Sequence, residues 1–158
     1  MPPQPDYPSF ASPDERSATA RKQFQEVIDK YPHTHTADVA RYFLGTVALD
    51  SGDNATAERQ LKEVMGTQNR DLVALAKLAL ATVYTNTNRT KDALDLYKQL
   101  VDKPTMTVNK VAAQINLANL YENSQQPLEA KRIYEQIQKE NPGSEMAALA
   151  QSKLQELK

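Results

Sequence analysis

A chain of 158 residues is long enough for one domain with a sizeable core, or for a repeat array that spreads its core along its length. Its 19 Lys and Arg against 20 Asp and Glu leave a net charge of -1, interspersed along the chain, which excludes the basic footprint of a nucleic-acid or anionic-membrane binder. There is no cysteine for a disulfide, a thiolate metal site or a thiol nucleophile, and the most apolar stretch, Leu72 to Tyr84, is interrupted by Lys77 and shorter than the roughly 20 residues of a membrane span.

Residues 1–12 carry Pro2, Pro3, Pro5 and Pro8 and read as a flexible Pro-rich tail, because proline bars a regular helix there. The tail has neither the basic n-region nor the apolar h-region of a signal peptide, so the chain is either cytosolic or cut downstream of a targeting segment. Ser12-Pro13-Asp14-Glu15 then reads as an N-cap, an N1 proline and a capping-box Glu, opening a helix over 13–31. Ala20, Phe24 and Val27 form its apolar stripe. The tail cannot supply a partner helix for that stripe, so the N-terminal end is expected to be a contact surface, covered by Tyr7 and Phe10, by an upstream segment or by a second copy of the chain.

Both histidines follow, in the phrase KYPHTHTADVARYFLG from Lys30 to Gly45. The spacing of His33 and His35 could place two imidazoles on one ion, but a site needs a third and usually a fourth ligand, and the nearest carboxylate, Asp38, falls in a first helical turn where it already favours the helix dipole. The phrase recurs 110 residues later, with Pro32, Thr34, Ala37, Ala40 and Leu44 matched by Pro142, Ser144, Ala147, Ala150 and Leu154. The histidines fall where the second copy has Gly143 and Glu145, so the phrase reads as a joint between helices.

Further turn formers cluster at Ser51-Gly52-Asp53, Asn86 to Thr90, Pro104, Ser124 to Pro127 and Pro142-Gly143, which with Pro32 leave about seven helices. Asn54-Ala55-Thr56 and Asn88-Arg89-Thr90 match the glycosylation sequon, yet fall at hairpin turns where Asn or Thr serves as a cap. Four segments share a pattern: Ala20/Phe24/Val27, Ala57/Leu61/Val64, Ala93/Tyr97/Leu100 and Ala130/Tyr134/Ile137, spaced by 37, 36 and 37 residues. Before the last three stand Leu44-Gly45/Ala48, Leu80-Ala81/Tyr84 and Leu117-Ala118/Tyr121, so the unit is a pair of helices whose small residues let two axes approach. Full pairs are expected over 36–67, 69–102 and 107–140, with a capping helix over 144–158, all within a domain spanning 13–158. No stretch alternates as a strand, and the fold class is all-α.

Tyr84, Tyr97, Tyr121 and Tyr134 sit at packing positions of the repeat, without interleaved basic residues, and read as core. No G-x-S-x-G, H-E-x-x-H or Walker-type loop occurs, so the chain reads as a non-enzyme without catalytic residues, metal or cofactor.

These repeats resemble the tetratricopeptide repeat family in the Leu-small-x2-aromatic pattern of the first helix and the Ala-x3-aromatic-x2-aliphatic pattern of the second. Arg41, Lys77 and Gln114 stand where that family has an early Trp, and the period exceeds the usual one of about 34. The longer period and Tyr31-Pro32-x-Thr34-x2-Ala37-x2-Ala40-x3-Leu44 are similar to bacterial cell-envelope members, the group of the ancillary Sec translocon subunit and the Tol-Pal-associated division coordinator. The run Asn69 to Tyr84 and a closing helix without a partner are most like the translocon-ancillary type.

The resemblance implies a right-handed α-solenoid whose first helices line a concave groove for a peptide or partner protein. Carried onto this chain, the groove positions are Val39, Tyr42, Thr46 and Leu49, then Leu75, Leu78, Thr82 and Thr85, then Ala112, Ile115, Asn119 and Glu122. Tyr42, Thr46, Leu49, Leu78, Thr82, Ile115 and Asn119 are the peptide-binding candidates, and no cluster of cations joins them to grip an acidic terminus. The implied function is a non-catalytic scaffold in envelope protein translocation or assembly, on the periplasmic side, with an anchor segment absent from this chain. The alternatives are a self-associating adaptor, forming a homo-oligomer through its terminal helices, and a cytoplasmic adaptor.

Overall fold

Every run expected to be helical, except the one that opens at Thr90, meets a capping side chain or a proline at its start, and the computed structural model, which describes residues 9–157, follows that punctuation. Among the described residues there are eight α-helices and no strand: α1 (Pro13–Lys30), α2 (His35–Asp50), α3 (Asn54–Met65), α4 (Arg70–Asn86), α5 (Thr90–Asp102), α6 (Lys110–Asn123), α7 (Pro127–Glu140) and α8 (Glu145–Glu156). Residues 1–8, which hold Tyr7 and most of the expected tail, lie outside the described residues.

The all-α class holds, with one helix more than the proline and glycine breaks count out. The extra boundary is the turn 66–69, where Asn69 Oδ1 caps α4 by accepting from the Leu72 N–H at 3.1 Å. Caps of this type save an orphan donor and recur through the chain. Ser12 Oγ accepts from the Glu15 N–H at 3.1 Å, while Glu15 reaches back to the Ala11 N–H at 2.6 Å. Thr34 and Ser144, the paired positions of the repeated phrase, build one turn twice. Each hydroxyl accepts from the N–H three residues on, at 3.2 and 3.1 Å, and donates to the carbonyl three residues back, at 2.8 Å in both cases.

The sequon asparagines are not caps. Asp53 caps α3, accepting from the Thr56 N–H at 3.1 Å, and Asn54 is already helical. Asn88 sits at φ 58° between helices, in the left-handed region that Asn tolerates better than most residues.

Consecutive helices pack as antiparallel neighbours, and α2 also contacts α4, so the chain stacks helical hairpins as an α-solenoid does. Ala57, Ala93 and Ala130 are fully buried where the second helix of each pair meets the first. Tyr84, Tyr97, Tyr121 and Tyr134 are buried in the same layer, as expected of core. One hydrophobic cluster runs from α2 to α8, and a smaller one, Ile28, Ala40 and Leu44, is joined by Phe24 and Val27 at the α1 end.

Ion pairs tie successive hairpins. Arg21 of α1 meets Asp53 at 2.9 Å, and Arg89, ahead of α5, meets Glu58 of α3 at 2.6 Å while its guanidinium stacks 4.1 Å from the Tyr84 ring centre.

Candidate functional site

The first helices of the three pairs are α2, α4 and α6, and equivalent positions recur at the spacing of the repeat. Val39, Leu75 and Ala112 make one row, Tyr42, Leu78 and Ile115 the next, then Thr46, Thr82 and Asn119, and last Leu49, Thr85 and Glu122. Positions 3 and 4 apart on a helix share a face, so each helix presents its four residues together.

The apolar members divide their surface between core and solvent. Val39, Tyr42, Leu49, Leu75, Leu78 and Ile115 are half-buried and packed against the main cluster, which leaves an apolar edge on each helix rather than free side chains. Tyr42 sets its ring edge-on to Phe43, with centroids 5.4 Å apart, and burial raises the pKa of its phenol.

The threonines show how the polar part of this face works. Thr46 Oγ1 donates to the Phe43 carbonyl at 3.0 Å, Thr85 Oγ1 to the Ala81 carbonyl at 2.9 Å and Thr82 Oγ1, at a looser 3.4 Å, to the Leu78 carbonyl. With its proton given to its own helix, each hydroxyl retains lone pairs with which to accept; Thr82 also lies within reach of the Tyr97 hydroxyl. The face is therefore apolar in its first two rows and acceptor-bearing in the next.

Asn119 differs from its row. Its side chain lies 3.0 Å from the Tyr134 hydroxyl of α7, which also meets the Glu122 carboxylate. The phenol has one proton to share between two acceptors, the Asn119 Oδ1 and the Glu122 carboxylate, and the charged carboxylate is the stronger of them. Burial, and next the bond to Glu122, push the Tyr134 phenol far above its usual pKa. Lys153 of α8 stands 3.8 Å from Glu122, so Asn119 and Glu122 belong to a lock joining α6, α7 and α8.

The N-terminal candidates stand apart from this face. Ala20, Phe24 and Val27 are all half-buried, and the Phe24 ring stacks on Phe43 of α2, with centroids 5.5 Å apart and planes 15° from parallel. Phe43 remains 44 % exposed and Tyr31 47 %. Phe10 is half-buried ahead of α1.

His33 lies in the turn between α1 and α2, and His35 is the first residue of α2; both are exposed. Asp38 is paired with Arg41 at 3.1 Å. Among the described residues no group of three or more His, Asp or Glu side chains converges as a metal site would require. What the sequence alone does not bring together is a set of cations apart from the four rows, Arg70, Lys77 and Lys103, which line one hollow between α4 and α5. Arg70 and Lys77, seven residues apart on one helix face, were its visible signal.

A family model described as a tetratricopeptide repeat-like domain matches residues 7–158. Among solved structures, a tetratricopeptide repeat protein from Parabacteroides merdae ATCC 43184 is similar with a TM-score of 0.70 and 20 % identity, over 89 % of this chain and 53 % of that one. MamA is similar with a TM-score of 0.63 and 17 % identity, over 94 % of this chain and 90 % of that one. This chain thus spans about half the length of the Parabacteroides protein, and at these identities the likeness concerns the fold. No curated protein matches the chain in sequence.

Proposed function

Since the chain belongs to the tetratricopeptide repeat-like domain family, matched over residues 7–158, we propose that it is a non-catalytic scaffold that holds a polypeptide segment against α2, α4 and α6. The observation that carries this reading is the division of that face into apolar rows and, next to them, the Thr46 and Thr82 hydroxyls, whose protons are given to their own helices. An extended segment offers apolar side chains to Tyr42, Leu49, Leu78 and Ile115, and backbone N–H groups to Thr46 and Thr82. Its orientation follows from the hydrogen bonds, and most of its affinity from burial.

Affinity capture with wild type and with the Tyr42→Ala/Ile115→Ala double variant tests the groove. Reduced recovery of the partner is expected; identical recovery would sink the assignment.

The reading extends to the bacterial envelope, on the periplasmic side, in protein translocation or assembly. It is supported by the turn phrase from Tyr31 to Leu44, whose geometry repeats at residues 141–154. Fractionation of the gene product decides it: a membrane-associated pool cleaved by protease only after the outer layer is opened is expected. Recovery in the cytosol would replace it with the cytoplasmic adaptor.

A second reading is self-association through the α1 end. The stacked Phe24 and exposed Phe43 and Tyr31 leave aromatic surface there, whereas α8 carries the exposed, polar Gln155 where α2, α4 and α6 have the buried Gly45, Ala81 and Ala118. Light scattering that shows a dimer for wild type and a monomer for Phe43→Glu would favour this reading. A monomer at every concentration would remove it.

A further inference from the structure

We propose that the chain carries a second binding site, off the groove, in which Arg70, Lys77 and Lys103 receive an acidic segment of polypeptide beside the loop 103–109. The turns 31–34, 66–69 and 141–144 join successive pairs with four residues each, but the turn from α5 to α6 uses seven, 103–109. The added length is held in place. The Thr107 N–H donates to the Asp71 carboxylate at 3.2 Å, and the Thr107 hydroxyl lies 3.1 Å from both that carboxylate and the Asp71 carbonyl. The Thr105 N–H donates to the Val108 carbonyl at 2.9 Å, and Val108 is buried as the anchor of the loop. At the tip of this fixed loop Met106 is 96 % exposed.

Two adjoining hollows lie behind the tip, of about 540 and 150 Å³, which share Arg70 and Thr105 in their walls. The smaller has an apolar floor of Val73, Ala74 and Leu100 under Arg70, Lys77 and Lys103. Among the described residues none of these three cations has a carboxylate within ion-pair distance. By contrast Arg41, the counterpart of Lys77 in the first pair, is matched by Asp38 at 3.1 Å. Asp71, among the described residues the one carboxylate in the wall of the larger hollow, is committed to Thr107.

Three like charges around one small hollow repel each other until an anion enters. The exposed Met106 and Pro104 beside them give an apolar neighbour of that anion something to pack on, which free phosphate cannot use. The occupant is therefore a segment with carboxylates next to apolar side chains. The smaller hollow, which holds all three cations, is lined by none of the groove candidates, so truncating Tyr42 and Ile115 leaves its walls intact.

Fluorescence anisotropy with a short labelled peptide alternating Glu and Leu tests this on the full chain, with a Gln and Leu peptide and inorganic phosphate as the other arms. Saturable binding of the Glu peptide is expected, weakened about tenfold or more by Lys77→Ala/Lys103→Ala and restored by Lys77→Arg/Lys103→Arg. Met106→Ser is expected to weaken it about fivefold. Tyr42→Ala/Ile115→Ala leaves it unchanged, so failure here and failure of the groove are told apart. No saturable binding, equal binding of the Gln peptide, equal binding by the Lys77→Ala/Lys103→Ala variant, loss in the groove variant, or full displacement by phosphate at the peptide's own concentration would each overturn the proposal.

Discussion

Gly45 of α2 lies so close to Leu61 of α3 that a Cβ built on it would stand 2.8 Å from Leu61 Cγ and 3.0 Å from Cδ2. Leu61 is fully buried and its Cγ is no flexible tip, so the two helices would have to part. Gly45→Ala improves helix propensity by about 1 kcal/mol, but overpacking costs about 1–3 kcal/mol. The expected outcome is a net loss of about 1 kcal/mol, read as a lower urea midpoint at unchanged slope. A raised midpoint would show that the hairpin has room to spare.

That contact also shows what was legible beforehand. Gly45, Ala81 and Ala118 recur before the stripes that begin at Ala57, Ala93 and Ala130, and periodicity with small residues is enough to specify close helix pairs. The turn at 66–69 has no proline and is capped by a single asparagine side chain, so the tally of turn-former breaks passes over it, although the expected pairs 36–67 and 69–102 meet there. The rows of equivalent positions on α2, α4 and α6 follow from register, yet not the diversion of Asn119 to Tyr134, which depends on a contact across two helices. Least visible were Arg70, Lys77 and Lys103, drawn from α4 and the end of α5, which only tertiary packing brings to one hollow.

Acid should weaken the links between hairpins. The Thr56 backbone N–H first, then its hydroxyl and Arg21, hold the Asp53 carboxyl below the ordinary carboxylate range; Arg89 and then Lys62 do the same for Glu58. Both pKa values are depressed on folding. Their contribution is therefore complete above the unfolded value of about 4 and is lost as pH falls through the lower folded values. Tm is expected to be flat between about pH 5 and 7 with respect to these groups and to fall below about pH 4. Asp53→Asn keeps an acceptor for the Thr56 N–H but drops the charge, and should flatten the acid limb. Asp53→Ala also loses the cap, at about 1 kcal/mol. An acid limb in Asp53→Asn/Glu58→Gln as steep as in wild type would assign the acid sensitivity elsewhere.

One turn type joins the helices within each pair, and its middle residue is left-handed: Gly52 at φ 77°, Asn88 and Gln125 both at φ 58°. In each, the next N–H closes on a carbonyl five residues back, Ala48 at 2.8 Å, Tyr84 at 2.7 Å and Tyr121 at 2.8 Å. Glycine is at ease there, asparagine tolerates it, and a Gln side chain costs about 1 kcal/mol. Gln125→Gly is expected to stabilise by about that amount and Gly52→Gln to destabilise by the same, in urea titrations. A loss in Gln125→Gly would mean that the Gln125 side chain holds the α6–α7 turn in a way its backbone does not.

Gln114 occupies the register of Arg41 and Lys77, and the three meet burial differently. Arg41 sends its guanidinium to the Pro32 carbonyl at 3.0 Å and to Asp38, and Lys77 opens into the hollow beside Arg70. Gln114 is 1 % exposed, and among the described residues neither polar atom of its amide has a hydrogen-bond partner. Glu140, bound by Lys110 at 2.9 Å and by Gln136 at 2.8 Å, stops short of hydrogen-bond geometry with it. An unpaired buried amide costs about 1–3 kcal/mol, and Met has a similar volume without the polar atoms. Gln114→Met is therefore expected to raise the urea midpoint, by about 1 kcal/mol of stability once imperfect packing is allowed for. Gln114→Leu, branched and shorter, separates shape from polarity: it should gain less than Met if packing limits the effect. A fall in stability for both would mean that the amide is hydrated in solution, and that α6 and α7 admit water at this level.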